Sequence, residues 1–181
     1  EVSNDSSKHA KSISFKDMGK SIASNPQLLL VLIFDFLKLI GYYTLMATVA
    51  YYAKVVLQDE SAMSIILVVF NVGALVGSLI SKNVVAKLGS KMTNIVGVLG
   101  FAVCLVVIYV MPANMMIVTV LLGIAQIFFG ISYGNTTSLY SNCGTYSEYK
   151  TGKNTKAVIM SFSSLAIKIS IAVRGIVITS V

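Results

Sequence analysis

Three ionisable side chains inside long apolar stretches are the first candidates for chemistry. Asp35 and Lys38 are three residues apart in one stretch, and Lys168 lies in the middle of another. Residues three apart share one face of a helix, so the Asp35 carboxylate can pair with the Lys38 ammonium. This pair has two interpretations, a static pair that fixes packing and a functional pair. Lys168 has no acid in its own stretch, and we favour a functional or gating role for it.

All three charges lie deep within their stretches. With a helical rise of 1.5 Å per residue, Asp35 lies roughly 12 Å and Lys38 roughly 16 Å from Gln27. By the same measure Lys168 lies roughly 16 Å from Ala157. Ionisable residues at such depth in a membrane usually face the interior of a helix bundle or a water-filled cavity. We therefore predict that Asp35, Lys38 and Lys168 line an interior site.

Three tyrosines at similar depth could contribute to the same site. Tyr42 and Tyr43 follow Lys38, and Tyr133 lies in a later stretch. An aromatic face can stack on a sugar ring while the hydroxyl forms a hydrogen bond. Core packing is the other use of such residues.

The elements that position these residues follow from the composition. The chain has 181 residues, of which 56% are hydrophobic and only 12% are charged, and its mean hydropathy is +0.83. These values are typical of an integral membrane protein. The apolar stretches are continuous and near the roughly 20 residues that a helix needs to cross a bilayer. We predict an all-α fold with five spans, at Gln27 to Ala50, Met63 to Ser81, Met92 to Met111, Asn114 to about Tyr140, and Ala157 to Ser180.

The lysines between the spans predict the orientation. They form three clusters that lie on one side if the chain crosses five times, at Lys8, Lys11, Lys16 and Lys20, at Lys82, Lys87 and Lys91, and at Lys150, Lys153 and Lys156. Positively charged loops tend to stay in the cytoplasm. We therefore predict a cytoplasmic segment over residues 1–26 and a transmembrane domain over residues 27–181. The net charge of +7 is divided among these loops, so a nucleic-acid partner is not expected.

Small residues recur one turn apart in two of the spans. Gly73, Gly77 and Ser81 share one face of the second span, and Gly130 and Gly134 share one face of the fourth. Helices in lipid pack closely where small residues recur in this way. We favour helix packing as their role, with flexible gating as the alternative.

Signatures of an enzyme are missing from the sequence. The chain has no GxSxG, HExxH or GxxxxGK[ST] motif, and its single histidine, His9, lies in the polar N-terminal arm. Cys104 falls inside a span and Cys143 on the cytoplasmic side, which argues against a disulfide. We predict no catalytic site, no metal site and no cofactor.

The order of these features resembles a known transporter family. "NPQLLL", "AYYAKVVLQDE", "VAKLGSKMTN" and above all "TYSEYKTGKNTKAVIMSFSSLAIK" are similar to segments in the C-terminal half of the glycoside, pentoside and hexuronide cation symporters. These carriers form the melibiose-carrier-like branch of the major facilitator superfamily. The resemblance covers nearly the whole chain, as five of the six helices of that half. It implies that an N-terminal half and one closing helix lie outside this sequence.

The resemblance also assigns roles to individual residues. Lys168 matches a buried lysine of the family, and Ser164 and Tyr133 match positions that line the sugar cavity. The loop before the last span matches the family's cytoplasmic gate at Tyr146, Glu148, Tyr149 and Lys150. This sequence departs from the family pattern at four positions, namely Asn142, Thr145, Asn154 and Lys156. These departures remove or reverse charges of the gate network and leave the architecture unaffected.

The resemblance implies alternating access, in which entry of Na⁺ or H⁺ drives uptake of a sugar or glycoside across the plasma (inner) membrane. The expected partners are the sugar, membrane lipid and the N-terminal half. Candidate cavity residues are Lys168, Ser164, Tyr133, Asp35, Lys38 and Tyr42. Two alternatives stay open, a lysolipid or other small-molecule carrier of the same superfamily and a helical membrane scaffold without a substrate. The scaffold hypothesis predicts a static pair of Lys168 with Asp35.

Overall fold

The computed structural model describes residues 25–55, 60–111, 114–151 and 156–179, and every element in these ranges is an α-helix. Helix α1 is Pro26–Val55, α2 is Glu60–Val110, α3 is Met115–Thr151 and α4 is Lys156–Thr179. Each contains a segment that is long and apolar enough to cross a membrane. The predicted all-helical class is therefore confirmed.

Helix α2 contains two of the predicted spans. The described residues thus form four helical elements where the sequence predicted five, because α2 is helical on both sides of Gly89. Gly89 has φ 77° and ψ 159°, a conformation that only glycine adopts readily. Both arms of α2, residues 60–88 and 90–110, contact the same part of α3, since Gly77 packs against Ile127 and Gly97 against Phe128. Helix α2 therefore folds back on itself at Gly89.

Glycines set the close packing between α2 and α3. A Cβ atom added to Gly73 would lie 2.5 Å from the Gly123 carbonyl oxygen, and one added to Gly130 would collide with the Ala74 carbonyl. Small residues allow backbones to approach in this way. The Ser81 hydroxyl adds a hydrogen bond to the Ile131 carbonyl at 2.7 Å. The packing role predicted for the small residues is confirmed.

Helix α3 also packs against α1 and α4. One apolar cluster joins the three helices through Leu28, Tyr140, Cys143, Ile159 and Phe162. These side chains are almost completely buried. Helix α3 thus packs against α1 and α4 as well as α2, and it is the central helix of the described chain.

Several helix ends meet at one end of the bundle. Asn25, before α1, donates a hydrogen bond to the Cys143 carbonyl at 3.1 Å. Ser90, next to the Gly89 turn, contacts Ser138 at 3.2 Å. Lys156, the first residue of α4, lies against Gly144. The described lysines of the second and third predicted clusters therefore lie toward the same end. The first cluster lies in residues 1–24 and Lys153 in residues 152–155, which fall outside the described residues.

Candidate functional site

The predicted pair of Asp35 and Lys38 forms on the inner face of α1. The Lys38 Nζ lies 2.8 Å from Asp35 Oδ1 and donates a hydrogen bond to Thr136 Oγ1 at 2.9 Å. The Tyr140 hydroxyl donates to Asp35 Oδ2 at 3.1 Å. Asp35 is 2% exposed, Lys38 is 7% exposed and Tyr140 is fully buried. The pair is thus enclosed by hydroxyl groups of α3.

Burial makes these contacts energetically important. Each charge would cost several kcal/mol if it were buried alone, whereas a paired and hydrogen-bonded set offsets most of that cost. Thr136 in turn donates to the Ser132 carbonyl at 3.2 Å, and the Lys38 Nζ lies 5.7 Å from the centroid of the Phe34 ring. The network is therefore electrically neutral and links α1 to α3.

Sequence reasoning missed the partners of this pair on α3. Thr136 and Tyr140 belong to the run "SYGNTTSLY", residues 132–140, which is polar although it lies within an apolar span. Polar residues inside a membrane span usually face other helices. That polar run was a signal that this part of α3 faces another helix, although it does not identify which residue each side chain contacts.

An aromatic pocket lies beside the network. Tyr42 stacks on Phe129 with ring centroids 4.1 Å apart and an interplanar angle of 9°. Phe129 in turn lies 5.8 Å from the Tyr133 ring, and Tyr43 meets Tyr42 edge-on at 5.3 Å. The pocket has a volume of about 340 Å³. It is lined by Leu39, Tyr42, Tyr43, Met46, Ala74, Phe129, Gly130 and Tyr133.

A smaller cavity lies beside the aromatic pocket and is lined in part by Asp35. Its volume is about 80 Å³, and Leu39 and Tyr133 line both spaces. The other lining residues are Asp35, Thr136, Thr137, Ser163 and Ile167. The three tyrosines, the carboxylate and several hydroxyl groups are therefore neighbours, and they include the candidate residues Tyr42, Tyr133 and Asp35. Phe129 and Ser163 join them without having been singled out from the sequence.

Ser164 and Lys168 lie apart from this group. Helix α4 buries Ile159, Phe162 and Ala166, whereas Ser164 and Lys168 are exposed. A helix turns by about 100° per residue, so these two side chains lie on the side opposite the buried stripe. Neither lines the two cavities, and Lys168 forms no ion pair with another residue that the structure describes.

The gate candidates lie where α3 meets α4. Glu148 Oε2 forms an ion pair with Lys156 Nζ at 2.9 Å, and both side chains are partly exposed. Lys156, one of the positions at which the sequence departs from the expected family pattern, thus pairs with a gate candidate on the neighbouring helix. Tyr146 and Lys150 are exposed on the same segment of α3.

The two cavities offer groups that can bind a small molecule. Within the described ranges no group of three or more His, Cys, Asp or Glu side chains could hold a metal ion. Cys104 and Cys143 are free thiols and buried. Aromatic rings, hydroxyl groups and the Asp35 carboxylate line the two cavities, and such groups recognise a small polar molecule by shape and hydrogen bonds.

Comparisons with known proteins point to membrane transport. The family model described as MFS/sugar transport protein matches residues 1–181. The uncharacterized symporter YjmB of Bacillus subtilis (strain 168) is 25% identical over 157 residues, which are 86% of this chain and 34% of that protein. The chain therefore spans about a third of the length of this relative. No solved structure matches the chain significantly.

Proposed function

Because the chain belongs to the MFS/sugar transport protein family, we propose that it is part of a symporter that couples uptake of a sugar or glycoside to entry of Na⁺ or H⁺. The description of the family and the name of the relative from Bacillus subtilis, an uncharacterized symporter, support a membrane transporter. For the present chain, the substrate class and the coupling ion are proposals. The aromatic pocket on α1 and α3 is the observation that carries the choice of a sugar.

The pocket has the size and chemistry that a sugar requires. Its volume of about 340 Å³ falls within the range of small-molecule sites. The Tyr42 ring is stacked on Phe129, so we assign the apolar C–H side of the sugar ring to Tyr133, and the hydroxyl groups of both tyrosines offer hydrogen bonds. Tyr133 is 47% exposed, so part of its ring is free to contact a ligand. We assign the sugar to this pocket.

The proposed protein is longer than the present chain. We propose that the chain supplies five of the six helices of the C-terminal half, with the two arms of α2 as separate crossings. The chain covers only 34% of the relative from Bacillus subtilis, which supports the proposal that it is a piece of a larger carrier. In this arrangement residues 1–26 are a cytoplasmic linker, the carrier lies in the plasma membrane, and its N-terminal half covers the exposed side of α4.

Alternating access gives Lys168 a role in this carrier. The two halves of a major facilitator carrier rock around a central site. Lys168 is exposed on α4 and lies at mid-depth, so we propose that it meets acidic groups or a bound cation of the other half. Coupling then requires that loaded states convert readily and half-loaded states do not.

A lysolipid carrier is the second candidate. An apolar cavity of about 360 Å³ lies between α1, α2 and α3, at the end opposite the Gly89 turn. Its lining includes Leu45, Val49, Ile66, Leu105 and Leu122, which suit an acyl chain. The scaffold hypothesis predicted a static pair of Lys168 with Asp35. Asp35 instead pairs with Lys38, and Lys168 pairs with no acid that the structure describes.

Uptake by the complete gene product tests the proposal. Cells expressing it would be given a panel of labelled oligosaccharides, glycosides, pentosides and uronides, and also a lysolipid, with the Na⁺ or H⁺ gradient intact or dissipated. Accumulation of one sugar that is lost with the gradient supports symport. Tyr133→Ala should abolish it, whereas Tyr51→Ala, which alters an exposed tyrosine outside the pocket, should not. Uptake of the lysolipid alone would favour the second candidate.

A further inference from the structure

The ammonium of Lys38 occupies a position surrounded by oxygen atoms. Its Nζ lies 2.8 Å from Asp35 Oδ1 and 2.9 Å from Thr136 Oγ1. The second carboxylate oxygen of Asp35 is oriented by the Tyr140 hydroxyl at 3.1 Å. One oxygen of the Asp35 carboxylate is thus held in place, and the other can act as a ligand to a cation. Here that cation is the ammonium group of Lys38.

We propose that Asp35 and Thr136 form a binding site for a monovalent alkali cation, which the native chain fills with the tethered ammonium of Lys38. Hard cations bind carboxylate, hydroxyl and water oxygens, and the contacts of the Lys38 Nζ are oxygens of the first two kinds. The site is buried, with side chains only 3% exposed for both Asp35 and Lys38. The inference is independent of which sugar the carrier transports.

Charge selects the class of cation. One carboxylate balances one positive charge, so a monovalent ion leaves the buried site neutral, as Lys38 does. A divalent ion would leave an uncompensated positive charge in a medium of low dielectric constant, which is costly. Among the described residues no second acid lies in the lining of the cavity beside Asp35.

The adjoining cavity supplies the remaining ligands. It has a volume of about 80 Å³ and is lined by Asp35, Thr136, Thr137 and Ser163 among others. A water molecule takes up about 30 Å³ in the liquid, so the cavity has room for roughly two to three. A cation in place of the Lys38 Nζ could therefore complete its coordination with water that the hydroxyl groups hold.

The lysine has a consequence for coupling. Since Lys38 cannot leave the chain, Asp35 stays neutralised whether or not Na⁺ or H⁺ is bound elsewhere in the carrier. Asp35 then offers no free carboxylate to the coupling ion. Ion dependence at this site should appear only when Lys38 is replaced.

Thermal unfolding of the complete carrier in detergent tests the site. Lys38→Ala and the milder Lys38→Gln would be compared with wild type in NaCl, LiCl and KCl, with choline chloride holding the ionic strength constant. Ligand that binds only the folded state raises the unfolding midpoint, here by about 1 °C per tenfold increase in cation once the site is half filled. We expect this shift in the Lys38 variants in addition to any shift that wild type shows.

Two further variants separate a cation site from a general salt effect. The double variant Asp35→Asn with Lys38→Met removes both charges and should respond to salt only as wild type does. Adding Thr136→Val to Lys38→Ala removes one ligand and should reduce the shift by at least half. A Lys38 variant that folds only when alkali cation is present would also support the site.

Other outcomes would overturn the inference. One is a salt response of both Lys38 variants that equals that of wild type. Another is stabilisation by acid alone, because the Asp35 carboxyl would then take a proton in preference to a cation. The inference would also be overturned if Lys38→Ala and Lys38→Gln both failed to fold in every salt, because an external cation should have replaced the ammonium. This conclusion holds whether or not the double variant folds.

Discussion

At the scale of residues, we expect substitutions in the buried network on α1 and α3 to have the largest effects on the free energy of unfolding. Asp35 and Lys38 are almost inaccessible to solvent, so each depends on the other for neutralisation. Asp35→Ala should lower the free energy of unfolding by about 3 to 5 kcal/mol, because it leaves the Lys38 charge buried and unpaired. Denaturation of the purified carrier in detergent measures the change.

Tyr140→Phe is the matched control for Asp35→Ala. It removes one hydrogen bond to the carboxylate and keeps the ring in the apolar cluster. Its cost should be about 1 to 3 kcal/mol, which is typical of a hydrogen bond to a charged group. An Asp35→Ala variant as stable as Tyr140→Phe would contradict the predicted dependence of Lys38 on Asp35.

The residues of the site were only partly predictable from the sequence. The contact between Asp35 and Lys38 follows from their spacing on one helix, which is local information. The contacts of Lys38 with Thr136 and of Asp35 with Tyr140 join residues 98 and 105 positions apart. Such contacts depend on the rotation and depth of two helices relative to each other, and no pattern in a single sequence determines that register.

At the scale of elements, the contact of α2 with α3 depends on the absence of side chains. A Cβ atom at Gly77 would collide with the backbone of Ile127. Gly77→Ala should therefore force the helices apart and cost about 1 to 3 kcal/mol of stability. Gly41→Ala is the control, since a Cβ there meets nothing within 4 Å. Equal unfolding midpoints for the two variants would show that close approach at Gly77 is unnecessary.

The turn at Gly89 depends on the backbone alone. Its φ of 77° and ψ of 159° lie in a region that is essentially restricted to glycine, and a Cβ would meet no atom within 4 Å. Gly89→Ala should cost about 1 to 3 kcal/mol through backbone strain. Gly89→Asn should cost a similar amount, because asparagine tolerates the left-handed helical region and not this one. Wild-type unfolding midpoints in both variants would refute the strain.

The elements were predicted more accurately than their ends. Hydropathy locates the part of a helix that is buried in lipid, so it ended the fourth span near Tyr140. Helix α3 continues to Thr151, because a helix can extend into water when its polar residues allow it. Similarly, the charged segment between the second and third spans indicated a loop, whereas the chain is helical on both sides of a turn at one glycine.

At the scale of the whole molecule, the two ends of the bundle should lie on opposite sides of the membrane. Lys87 is next to the Gly89 turn, and Asn114 precedes α3 at the other end. In a background without Cys104 and Cys143, Lys87→Cys should react with an impermeant maleimide only in inverted vesicles. Asn114→Cys should react in intact cells, because the lysine-rich end is predicted to be cytoplasmic. Labelling of both cysteines from one side would contradict five crossings.

Under the proposed function, Lys168 is the residue through which this chain meets the rest of the carrier. Since it is exposed on α4 and lies in neither described cavity, a role in coupling must depend on groups outside the described residues. Lys168→Ala should leave the unfolding midpoint nearly unchanged, because truncating an exposed side chain usually changes stability by no more than about 0.5 kcal/mol. It should nevertheless lower accumulation driven by the cation gradient about tenfold or more, while exchange of internal for external sugar continues. Lys82→Ala, an exposed lysine at the end of the bundle, should alter neither process. Gradient-driven accumulation by Lys168→Ala at the wild-type level would remove Lys168 from the coupling mechanism and leave its charge without an assigned role.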